Sequence, residues 1–158
     1  MRLLVSIAVL ASLAGPAGAQ LPVEAHPDPL TLLPSADARL AANKKLVFDF
    51  WREVVQARHV EKIAAYVAES FIDHDPAAGA GGRAALAATL ARRPPEPLKP
   101  TIDDLVAITA ERDLVVLAFR RELQDLEHEG QTYTTTGFDM LRVADGRIVE
   151  HWTYATLD

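Results

Sequence analysis

The stretch TYTTTGFDMLRVADGRIVEHWTYAT, residues 132–156, decides how this chain is read. Two runs dense in β-branched and aromatic residues flank Asp145-Gly146. That dipeptide suits the positive φ angles of a tight hairpin, so Thr132–Val143 and Arg147–Thr156 read as two antiparallel strands. Strand alternation puts Tyr133, Thr135, Gly137, Asp139, Leu141 and Val143 on one face. Thr134, Thr136, Phe138, Met140 and Arg142 share the other. Asp139 is the anomaly, because aspartate is depleted in strands and this one shares its face with Leu141 and Val143.

Upstream of this hairpin, Ile102–Thr109 and Leu114–Leu123 read as two more strands. Glu111-Arg112-Asp113 is the turn between them, and Asp125–Gly130 a polar connection. Before Pro94-Pro95-Glu96-Pro97 the period is helical. Leu46, Val47, Phe50, Trp51, Val54 and Val55 form one apolar stripe, with Lys44, Lys45, Asp49, Arg52 and Glu53 on the other side. Ser35 is placed to cap this helix. A second helix is expected over Val60–Ala68, with Ile63, Ala64 and Val67 inward, and a third over Arg83–Arg93. Phe71-Ile72-Asp73-His74-Asp75-Pro76 leads into a loop from Pro76 to Gly82. Three helices followed by four antiparallel strands give an α+β domain over residues 35–158.

Residues 1–19 read as a signal peptide. Met1-Arg2 is a positive start, Leu3–Leu13 an apolar run, Gly15-Pro16 a helix break, and Ala17-Gly18-Ala19 a cleavage signal before Gln20. The run covers 11 positions, against about 20 for a spanning helix. Cleavage after Ala19 would deliver a periplasmic or secreted protein with no stable membrane insertion. Residues 20–34 carry Pro22, Pro27, Pro29 and Pro34 and read as a linker.

Composition narrows the chemistry. The chain has 158 residues and no cysteine, which excludes disulfides, thiolate metal sites and cysteine nucleophiles. A net charge of −6 without a basic block argues against nucleic acid as a partner. No phosphate loop, dinucleotide fingerprint or G-x-S-x-G is present. Asp73, His74, Asp75 and His151 match no zinc spacing, so no metal is expected.

The remaining candidates are Asp139, His74 and the pair His151-Trp152. If the Asp139 face lines a cavity, burial would favour the neutral acid and suit it to proton transfer near neutral pH. If that face is solvated, Asp139 is an ordinary surface charge. His74 lies between two carboxylates in sequence, and reads equally as a solvated loop residue. His151 and Trp152 are adjacent and so face opposite sides of one strand. Leu46, Phe50 and Val54 of the first helix could close a cavity over Asp139 and Leu141.

Phe71–Pro76 together with Gly137-Phe138-Asp139 through His151-Trp152 resembles the SnoaL-like polyketide cyclase family of the nuclear transport factor 2-like superfamily. The resemblance runs from about Ala42 to the C-terminus. Members typically carry Tyr, Gln and Asn where this chain has Phe71, Asp73 and Asp75. The resemblance implies a cone: three N-terminal helices packed on a curved antiparallel sheet, with a pocket at the open end. It implies acid/base chemistry without a cofactor, with Asp139 as the acid/base. His74 would hydrogen-bond a developing enolate, and Trp152, His151, Phe50 and Leu141 would contact a small hydrophobic carbonyl substrate. An exported chain is a poor fit for a cytoplasmic tailoring enzyme, so binding of a small hydrophobic ligand without turnover is the alternative. The apolar second face carrying Phe138 and Met140 points to a homodimer.

Overall fold

The computed structural model describes residues 21–75, 78 and 81–153. The leader 1–19, Pro76, most of the glycine-rich loop and the expected strand end past Thr153 lie outside the described residues. Helix α1 (Ala38–Phe50) begins at Asp37, whose carboxylate accepts from the backbone N–H of Arg39 and Leu40. Asp37 is thus the cap, not Ser35, whose hydroxyl accepts one step earlier from the Asp37 N–H. The helix continues as a π-helical stretch, Trp51–Gln56. Its apolar stripe faces inward as expected. Val47, Phe50 and Val54 are buried together with Phe48, while Leu46, Trp51 and Val55 pack at the margin.

Two expectations about the helical half are corrected. Lys44, assigned to the polar side, is buried. Its ammonium donates to the carbonyls of Leu32 and Pro34, 2.5 and 2.7 Å away. The proline-rich segment is therefore laid against the domain. Pro29 is buried in a 3-10 turn, and the Val23 and His26 N–H groups donate to Thr134 Oγ1 and the Leu105 carbonyl. The helix expected over Val60–Ala68 shrinks to a 3-10 turn (Val60–Lys62) and α2 (Ile63–Tyr66). The chain then becomes strand β1 (Val67–Asp73), because pairing with the last strand satisfies its backbone and buries Val67 and Phe71.

The sheet therefore has five strands, not four, and is mixed. After α3 (Gly82–Leu90) come β2 (Leu105–Glu111), β3 (Leu114–Gln124), β4 (Thr132–Ala144) and β5 (Arg147–Thr153). The order is β1-β5-β4-β3-β2, with β1 parallel to β5 and the other pairs antiparallel. Asp145 (φ 49°) and Gly146 (φ 68°) make the tight turn between β4 and β5. The inner face contributes Leu105, Val115, Leu117, Phe119, Leu141 and Ile148 to the core under α1. Trp51 stacks on Phe119 with ring centroids 4.6 Å apart. Each such buried side chain contributes roughly 1.5–3 kcal/mol. Among the described residues no helix is long and apolar enough to cross a membrane. This α+β architecture, helices on a sheet, is the expected fold class.

Candidate active site

The face assigned to Asp139 by alternation is the buried one: Asp139 is 3% exposed, beside Leu141 and Val143 in the core. Register then chooses its neighbours. Leu141 pairs with His151 and Asp139 with Thr153, so His151 stands one step from Asp139 on the same face. The parallel pairing of β1 sets Asp73 beside His151 from the other side. The imidazole bridges the two carboxylates, with Nε2 3.0 Å from Asp139 Oδ1 and Nδ1 2.9 Å from Asp73 Oδ1. Asp73 Oδ1 also accepts from the Asp75 N–H.

A neutral imidazole has one N–H and could satisfy only one of these carboxylates. The doubly protonated ring satisfies both. Burial works against that charge and is the largest single influence on His151. The hydrogen bonds to Asp139 and Asp73 and their negative charges outweigh it, and the His151 pKa is raised above its ordinary 6.5. On β3, Leu117, Phe119 and Arg121 face inward by the same alternation. Arg121 brings Nη2 to 3.7 Å from Asp139 Oδ2. That is an ion pair but not a hydrogen bond, and Oδ2 is buried without a hydrogen-bond donor. Asp139 thus has one oxygen engaged by His151 and one lone-pair-bearing oxygen beside a guanidinium.

An apolar cavity of about 90 Å³ borders His151, lined also by Phe50, Trp51, Val55, Phe71, Leu86, Leu90 and Leu141. The π-helical turn supplies Trp51 and Val55 to its wall. Three of the expected contact residues, Phe50, Leu141 and His151, meet here. His74 and Trp152 do not. Trp152 pairs with Met140 and so projects from the opposite face, where His74 stacks on it, ring centroids 4.8 Å apart and planes 8° from parallel. The guanidinium of Arg142 covers the Trp152 ring, and His74 Nε2 lies 3.5 Å from Glu150 Oε2. The anticipated approach of His74 to Asp139 is corrected by parity: His74 follows Asp73, and an odd and an even residue of one extended segment cannot share a face.

Two site residues escaped the sequence reading. Asp73 was weighed only as a metal ligand; its partnership with His151 follows once Val67–Asp73 is known to be a strand. Arg121 was available from alternation along Leu117, Phe119 and Arg121, the same signal that found Asp139.

Residues 47–151 match the family model of the SnoaL-like domain. Solved structures share the fold. A candidate SnoaL-like polyketide cyclase from Jannaschia sp. CCS1 superposes with a TM-score of 0.51 at 17% identity, covering 77% of this chain and 90% of that one. A candidate polyketide cyclase from Acidithiobacillus ferrooxidans gives 0.50 at 19% identity, with 77% and 90% covered. An LEH-like epoxide hydrolase from M. tuberculosis gives 0.50 at 15% identity, with 73% and 84% covered. No curated protein matches the sequence.

Proposed function

Given that the chain belongs to the SnoaL-like family, we propose that it performs acid/base chemistry on a small hydrophobic carbonyl compound, with Asp139 as the proton acceptor. This reading rests on Asp139 Oδ2, which is buried, ion-paired with Arg121 but without a hydrogen-bond donor, on a carboxylate held by His151. A proton on the carbon beside a carbonyl would pass to Oδ2, and the electron pair would move onto the carbonyl oxygen. Arg121, beside Oδ2, is the group on this face able to stabilise that oxyanion. Aldol condensation, isomerisation and elimination share this first step. The bound compound would lay its apolar part in the cavity past His151, with no cofactor.

The experiment is deuterium uptake by a simple ketone, octan-2-one, in heavy water. The chain should accelerate exchange at the carbons beside the carbonyl, and Asp139→Asn should abolish the acceleration. Acceleration unchanged in the variant would remove Asp139 from the chemistry.

Binding without turnover is the second reading. Both His151 ring nitrogens are occupied and the cavity wall is otherwise apolar, which favours holding a ligand. Octan-2-one that binds but never exchanges would select it.

Two further expectations belong to this proposal. Export with cleavage after Ala19 predicts an intact mass beginning at Gln20. A homodimer through the outer sheet face, where Phe138 and Ile72 are each about half exposed, predicts a dimer in sedimentation that Phe138→Glu dissociates.

A further inference from the structure

Val55 and Leu90 line the apolar cavity on one side and a second, more open pocket of about 340 Å³ on the other. The remaining walls of this outer pocket are Arg58, Thr89, Arg92 and Arg93. Three guanidinium groups around one depression are unexpected in a chain of net charge −6. Arg58 is fixed in place: its Nε donates to the Pro94 carbonyl at 2.7 Å, and its terminal nitrogen pairs with Glu96. Arg92 and Arg93 are exposed, and among the described residues neither side chain has an ion-pair or hydrogen-bond partner. Glu96 offsets one of the three charges, which leaves the pocket positive.

We infer that this pocket holds the anionic head of an amphipathic carboxylate whose chain passes between Val55 and Leu90 into the apolar cavity. A guanidinium pair presents donors in the planar arrangement a carboxylate accepts, and Thr89 adds a hydroxyl at the same rim. The apolar cavity takes the hydrocarbon, which removes it from water. The chain's far end then arrives at His151, one strand step from Asp139. This deepens the proposed function, on which it rests for the reacting end: the substrate class becomes a short oxo acid, anchored by its carboxylate at the arginines. Arginines just past the C-terminal end of α3 would also complement that helix's dipole, a role that needs no ligand and predicts no preference for chain length.

The experiment is calorimetric titration of the full chain with probes that cannot react. Octanoate should bind about tenfold more tightly than octanamide, which has the same chain and a neutral head. Affinity should rise about fourfold per methylene from butyrate to octanoate, as expected for a chain being buried. The double variant Arg92→Ser with Arg93→Ser removes no side-chain hydrogen bond or ion pair among the described residues and should cancel the preference for octanoate over octanamide. Equal affinity for octanoate and octanamide, no dependence on chain length, or an unaltered preference in the double variant would each overturn the inference. These measurements require no turnover. Loss of ketone exchange with the octanoate preference intact would count against the acid/base reading alone.

Discussion

His151 and Asp139 share a hydrogen bond of 3.0 Å across neighbouring strands, and the same imidazole reaches Asp73 at 2.9 Å on its other side. One ring thereby connects β1, β5 and β4. The arrangement also makes the charge state of His151 a property of the fold.

That charge state gives stability a pH dependence. The His151 pKa is raised in the folded chain above the ordinary 6.5. Its contribution is therefore fully present below about pH 6.5 and is lost as pH rises through the higher folded-state value. Urea unfolding between pH 6 and 9 should show stability falling over that range, and His151→Gln should flatten the slope. A slope of the opposite sign that disappears in the variant would contradict the ion-pair account.

Asp73 positions the ring. Its side chain is 10% exposed. Asp73→Ala leaves Nδ1 without an acceptor and should cost about 1–3 kcal/mol. Asp73→Asn keeps an acceptor oxygen and should cost less. Chemical denaturation of the two variants separates hydrogen bonding from charge, and equal losses would assign the effect to charge alone.

Lys44 should anchor the segment before α1. Lys44→Met removes the donors to the Leu32 and Pro34 carbonyls, at an expected cost of about 1–3 kcal/mol. Limited proteolysis should then cut between residues 21 and 36 faster than in the parent chain. An unchanged cleavage rate would mean that the buried Pro29 and the strand contacts hold the segment without it.

The two faces of the sheet should respond differently. Leu86→Trp fills the apolar cavity and should weaken octan-2-one binding about tenfold or more, equivalent to roughly 1.4 kcal/mol. Trp152→Ala lies on the outer face and should leave that affinity unchanged. Equal losses in the two variants would show that the ligand binds elsewhere.

The β-half was legible in the sequence because its signals are local. Asp145-Gly146 set the hairpin, and alternation put Asp139, Leu141 and Val143 on one face, leaving only its burial open. The segment around Asp73 was harder to read. Ile63, Ala64 and Val67 fit a helical spacing, and the pairing that makes Val67–Asp73 a strand comes from a partner about 80 positions away in the chain. Missing that strand hid the Asp73–His151 contact and left His74 to be judged by proximity in sequence alone. Lys44 failed similarly. A charged residue beside a polar stripe reads as solvated until the carbonyls that satisfy it are in place.

Asp139 and His151 form one charged unit. Its most direct measurement is nitrogen-resolved NMR titration of the His151 imidazole in the parent chain and in Asp139→Asn. Both ring nitrogens of the parent should stay protonated at pH 6.5, and the titration midpoint should fall in the variant. A singly protonated ring in the parent at that pH, or a midpoint unmoved by Asp139→Asn, would contradict it.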